Sequence, residues 1–335
     1  MRFVNISDII INVEYIYEII FVGGIIMVSD SEIKTTVSPF RMRPGEIKVF
    51  DGKDGYVSMN QIIQKINVGH ITDIHFRILE LINQYEFLTS RQLYQLLEHE
   101  KAEIKNQDKL NNKLEQLIKN KIITRYYFTS DEGSGIYRVY CMEKMGKYLL
   151  ESREIECKWQ PSDNAKPVEM IKKKLAGNQL VIAYIRKVKA YSKSTLKPAI
   201  LAKTINKTFK PIANIELNYM GRRVDFVYEV IRRNEEWERK LVERMSFWKD
   251  FYDNFAPGDS GYPVIPQLVF VCEDDKHMAE VFRVIVMNSI KIDKIKFYYT
   301  TDLIQNSNTL ERSLYDFVEE NGKYRMRNVE AKILE

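Results

Sequence analysis

The sequence predicts a mixed α+β protein in two parts, a helical part closed by a β-hairpin and then an α/β part. Three observations carry this. Between Thr72 and Ile118 apolar residues recur at three- and four-residue spacing, the period of amphipathic helices. The β-branched and aromatic runs Ile122–Thr129 and Ile136–Cys141 flank the turn cluster Asp131-Glu132-Gly133-Ser134-Gly135. Beyond residue 168 helical patterns alternate with short apolar strands, which is the order of an α/β sheet. A chain of 335 residues also exceeds what one core usually holds, so two domains are expected.

Residues 1–66 read as an irregular N-terminal extension. Ile9 to Val28 is strongly apolar but carries Asn12, Glu14 and Glu18, each acid costing about 2.5–3.5 kcal/mol in a bilayer, so it is a poor membrane span. Asp8 precedes the run and no small-residue cleavage site follows it, unlike a secretory signal, and Met27 offers a second start. Between 30 and 66, Pro39, Pro44, Gly45, Gly52 and Gly55 interrupt short apolar stretches.

Residues 67–150 hold three helices. The first starts at Thr72-Asp73 and buries Ile74, Ile78, Leu81 and Ile82; the second starts at Thr89-Ser90 with Leu93, Leu96 and Leu97. The third runs from Gln107 with Leu110, Leu114, Leu117 and Ile118 inside. Three helices followed by a hairpin are the order of a winged helix. Residues 151–167 are polar and interrupted by Pro161 and Pro167, the composition of a linker. From 168 to 335 the expected order is a long helix to about Tyr191, strands at Ile212–Leu217 and Arg223–Ile231, and a helix with Trp237, Leu241, Met245, Trp248 and Tyr252 on its core face. A strand Gln267–Cys272, a helix Asp274–Asn288 and a strand Ile295–Thr300 follow.

Composition excludes several classes. With 45% hydrophobic and 29% charged residues the chain is neither disordered, collagen-like nor dominated by membrane spans. Cys141, Cys157 and Cys272 form no CxxC pair, as expected of a reducing cytoplasm, and His70, His75, His99 and His277 complete no zinc spacing. Net charge is only +5, yet Ile171 to Lys210 holds eleven basic residues, among them Lys172, Lys173, Lys174, Arg186, Lys187 and Lys189, and no Asp or Glu. That leaves −6 on the remainder, and such segregation points to a polyanion surface. On the third helix, Lys109, Asn112, Lys113 and Gln116 lie off the apolar face, where amides can read adenine edges and lysines meet phosphate. Arg125 and Arg138 sit on the hairpin strands.

Asp225 and Glu229, four apart on a strand, share one side of the pleat, and Glu169 stands on the helix that opens the second domain. Carboxylates gathered at a sheet edge suit Mg²⁺-assisted phosphodiester hydrolysis, with Asp225 and Glu229 as metal ligands. Nucleases of the restriction-endonuclease-like class follow their acidic pair with a lysine two residues on; here that position is Ile231, and Arg232 and Arg233 fall out of register.

The order of parts over residues 70–300 resembles the replication-relaxation family of bacterial plasmids, conjugative elements and phages. It rests on the winged helix, the helix segment Lys173-Lys174-Leu175-Ala176-Gly177-Asn178-Gln179-Leu180, the strand Val224-Asp225-Phe226, the helix with Lys240-Leu241 ending near Phe251-Tyr252, and the strand Leu268-Val269-Phe270-Val271. Val224 replaces the family's proline, and Glu229-Val230-Ile231-Arg232 departs from its acidic strand end. The resemblance implies an N-terminal winged helix followed by an α/β restriction-endonuclease-like domain, and a DNA-handling role in replication or mobilisation of a mobile element. It further implies double-stranded DNA and a relaxase or replication protein as partners. A Mg²⁺-dependent DNA nuclease, and a winged-helix transcriptional regulator whose α/β part makes a homodimer or a sensor, are the alternatives. No membrane role is expected.

Overall fold

The first described elements are two strands, β1 (Ile10–Val22) and β2 (Ile25–Val28), within the stretch expected to be an irregular extension. The computed structural model describes residues 10–22, 25–28, 37–135, 137–303, 309–320 and 323–335, the first two spans by backbone alone. The fold is mixed α+β and divides into two compact units, Met42–Asn178 and the combination of Met1–Arg41 with Gln179–Glu335. The 151–167 stretch, read from sequence as a linker, lies inside the first unit. No helix among the described residues is long and apolar enough to cross a membrane.

The unit Met42–Asn178 starts with β3 (Ile47–Phe50) and α1 (Met59–Asn67), where the sequence suggested only a lead-in. Ser58 and Gln61 form a reciprocal cap on α1. Then come α2 (Asp73–Tyr85), the short β4 (Leu88–Thr89), α3 (Ser90–His99) and α4 (Gln107–Lys119). The helices expected from Thr72-Asp73 and Thr89-Ser90 begin there, with Thr89 accepting from the amide of Gln92, and α4 begins at Gln107 behind Asn106, a cap not read from the sequence, which accepts from the amide of Lys109. The hairpin is β5 (Ile123–Ser130) with β6 (Gly133–Ser134) and β7 (Val139–Met142); Ile136 lies outside the described residues. Strands β3, β5, β7 and β4 make one antiparallel sheet. Helix α5 (Lys144–Glu151) folds back so closely that a side chain at Gly146 would meet the carbonyl oxygen of Ile122 at 2.4 Å. The start of α6 (Val168–Lys187) closes the unit; Asn178 donates to the carbonyls of Tyr85 and Phe87 at 3.1 and 2.7 Å.

The other unit is built on β8 (Tyr191–Leu196), the hairpin β9 (Ile200–Ala202) and β10 (Lys207–Phe209), then β11 (Ala213–Tyr219), β12 (Arg222–Val230) and α7 (Trp237–Asp253). It continues with β13 (Gln267–Cys272), α8 (Asp275–Met287), β14 (Phe297–Thr301), β15 (Leu314–Glu320) and β16 (Lys323–Ala331). The nine-stranded sheet runs β2-β1-β16-β15-β14-β13-β12-β11-β8. Within it β12, β13 and β14 are parallel and the other neighbours antiparallel.

Alternation along β12 divides the core. Val227 and Ile231 face Leu241, Met245 and Trp248 of α7, as the aromatic stripe of that helix requires. Tyr228 faces the other way, and its hydroxyl bonds that of Tyr184 on α6. At the carboxyl ends of the parallel strands Arg232 and Asp302, both 0% exposed, pair at 3.1 Å, and Ser38 donates to Asp302 at 2.5 Å. Arg232 also donates to the carbonyls of Ile231 and Val271, so one guanidinium joins the ends of β12, β13 and β14.

Candidate nucleic-acid interface

Helix α4 turns Leu110, Leu114, Leu117 and Ile118 inward. At 100° per residue, Lys109, Asn112, Lys113 and Gln116 then fall within an arc of about 100° on the opposite side. The structure places Lys109, Asn112 and Gln116 as exposed and Lys113 as half-buried. The two acids of the helix lie off this stripe, and Glu115 is held by Arg125. The stripe therefore carries positive charge and carboxamides without a carboxylate.

One member of the stripe is tethered. The backbone amide of Thr72 donates to Nδ1 of the buried His75 at 3.0 Å, which leaves the proton on Nε2 to be donated to Gln116 Oε1 at 2.8 Å. Burial, assisted by the Lys113 charge, holds the His75 pKa below its ordinary value against the opposing bonds from Gln116 and Thr72. A neutral imidazole thus orients the amide of Gln116.

The hairpin is less suited to DNA than its two arginines suggested. Arg125 is engaged by Glu115 and Asp51, and Arg138 bonds Asp51 at 2.6 Å while covering the ring of Tyr127. The exposed turn carries Asp131 and Glu132, which repel phosphate.

The basic run is divided by the fold. Lys172, 2% exposed, pairs with Glu46 and lies over the Phe128 ring. Lys174, 3% exposed, pairs with Glu86 at 3.4 Å. Lys173 bonds Glu169 at 2.6 Å on the same helix. Two of the three consecutive lysines are therefore interior, a correction to their expected place on a phosphate-binding surface: these two find their counter-charges, Glu46 and Glu86, in distant sequence. Arg186 and Lys189 are exposed and Lys187 is half-buried, its pKa lowered by burial and by Arg186.

Asp225 and Glu229 do share a side of β12, but each is already satisfied. Arg223 clamps both oxygens of Asp225, and Asn214 donates to Oδ1 at 2.9 Å. Glu229 accepts from Arg244 and, at 2.9 Å, from the indole of Trp248. Glu169 belongs to the other unit and serves Lys173. Arg233, considered for the missing cationic role, is held by Glu273, Asp274 and Glu280. Among the described residues no group of three His, Cys, Asp or Glu side chains is placed to hold a metal. A Mg²⁺ ion needs several oxygens that can turn toward it, and these carboxylates instead accept from guanidinium, amide and indole donors. The donor set does not fit the ion.

No family model, curated protein or solved structure matches the chain.

Arg223, Arg244 and Asn214 went unnoticed in the sequence although they decide the chemistry of the carboxylates. For Arg223 a signal was present, since it stands two residues before Asp225 and so on the same side of the strand. Arg244 gave none, because its contact with Glu229 depends on how α7 packs across the sheet.

Proposed function

We propose that the protein binds double-stranded DNA through the Met42–Asn178 unit, as an accessory factor in replication or mobilisation of a plasmid or other mobile element. The carboxylate-free stripe Lys109, Asn112, Lys113 and Gln116 carries this reading. It lies on the third helix of a helix–helix–helix–hairpin order, the element that enters the major groove in winged-helix proteins. The mobile-element setting comes from the resemblance over residues 70–300, and with it a cytoplasmic location and a relaxase or replication protein as partner. Three buried cysteines, none in a disulfide, agree with a reducing compartment.

The sheet unit is read as a restriction-endonuclease-like scaffold that does not cut. A long helix, an antiparallel set β8-β11-β12 and a crossover through α7 to the parallel β13 support the scaffold. The donors that occupy Asp225 and Glu229 support the lack of cleavage.

The test is a salt titration of duplex binding by the full chain. Each phosphate contact removed should lower the slope of log K against log salt by about 0.9, so Lys109→Gln and Lys113→Gln together should lower it by roughly two such steps. Wild-type slopes in both variants would defeat the assignment.

A further inference from the structure

We propose that the groove between α1 and the carboxyl end of α4 binds one unpaired nucleotide of a DNA strand. This rests on the DNA-binding reading above and adds a second, chemically distinct site to it.

The groove is open to solvent and offers a volume of about 640 Å³, within the range of about 300–1,000 Å³ usual for small-ligand sites. Its walls come from Tyr56, Gln64, Lys65 and Asn67 on one side and from Lys119 and Asn120 on the other. No carboxylate lines it. The Lys65 ammonium donates to the side-chain oxygen of Asn120, a neutral partner that leaves its charge uncompensated. Helix α1 buries Ile62 alone, and Gln61, Gln64 and Asn67 are exposed.

Tyr56 is 82% exposed, an aromatic face that the fold leaves in water. A nucleotide matches each feature of the groove. Its base has a flat face to stack on Tyr56 and an edge of donors and acceptors for Gln64 and Asn67, while its phosphate meets Lys65 and Lys119. Duplex DNA keeps its faces stacked and its pairing edges occupied, so only an unpaired base presents both at once. Asn120, the C-cap of α4 four residues beyond Gln116, lines the groove, so the groove adjoins the carboxyl end of the α4 stripe.

The experiment is fluorescence anisotropy of the full chain with a labelled single-stranded oligonucleotide, the same sequence as duplex, and a mononucleotide competitor. Stacking on one aromatic ring is worth a factor of about 5 to 150 in affinity, so Tyr56→Ala should weaken single-strand binding at least five-fold and leave duplex binding within about two-fold. Tyr56→Phe should restore it. Lys119→Gln should lower the single-strand salt slope by about 0.7. Single-strand affinity unchanged in Tyr56→Ala overturns the proposal, and so does a mononucleotide that competes as well as the strand does. Duplex binding without single-strand binding overturns this site alone; binding to neither DNA overturns the DNA-binding reading as well.

Discussion

Arg223 clamps Asp225 from two residues away on the same strand, with Nε 2.6 Å from Oδ2 and Nη2 3.0 Å from Oδ1. The guanidinium also meets Glu216 of β11 at 3.0 Å, so one cation serves two carboxylates across neighbouring strands. The Arg223 pKa is raised, first by its bond to Asp225. The carboxylate most suggestive of metal chemistry is in this way part of a structural ion cluster.

Arg223→Ala should therefore cost stability, about 2 kcal/mol, because a buried carboxylate loses its main donor. Millimolar Mg²⁺ should leave the wild-type Tm unchanged. A Mg²⁺-dependent rise in Tm that disappears in Asp225→Asn would show that the site takes a metal after all, and nicking of supercoiled DNA in Mg²⁺ would restore the nuclease reading.

The Arg232–Asp302 pair is the more severe case. Both groups are fully buried, so Asp302→Ala should lower unfolding stability by about 3–5 kcal/mol, read by chemical denaturation. Replacing both, as Arg232→Met with Asp302→Leu, should recover much of the loss, since removing one partner of a buried pair costs more than removing both. A double variant as unstable as Asp302→Ala would show that the bonds from Arg232 to the strand carbonyls matter more than the ion pair.

Lys172 and Lys109 separate fold from function. Lys172→Met leaves the buried carboxylate of Glu46 with Arg43 as its remaining cation and should lower stability by about 1–3 kcal/mol, while the salt slope of the proposed DNA binding by the folded fraction stays at its wild-type value. Lys109→Gln should show the reverse. A reduced slope in Lys172→Met at wild-type stability would return that lysine to the DNA surface.

His75 sets a pH dependence. Its folded pKa is depressed, so the unfolded chain binds the proton more readily, and the contribution is fully present above the ordinary histidine value of about 6.5. Stability should fall as pH drops below that value toward the folded pKa. Protonation would also place a proton on Nδ1 against the Thr72 amide that donates to it. Tm measured between pH 7.5 and 5 should decline in the wild type more than in His75→Gln; equal declines would assign the effect to other groups.

Local sequence determined the secondary structure where short-range rules decide it. Capping residues Thr72 and Thr89 mark two helix starts, the alternation on β12 places Asp225 and Glu229 on one side, and the α4 leucines orient its polar stripe. Those signals need only neighbours within one helical turn or two strand positions. What stood outside their reach depends on contacts between residues far apart in sequence. Charge counting could find the basic run at 171–210, but only packing shows that Lys172 meets Glu46, 126 positions away. Periodicity could pair two carboxylates, but the position of α7 brings Arg244 and Trp248 to Glu229. The entry of β1 into the large sheet beside β16 is of the same kind, since strand pairing is a relation between two edges and one segment read alone holds half of it.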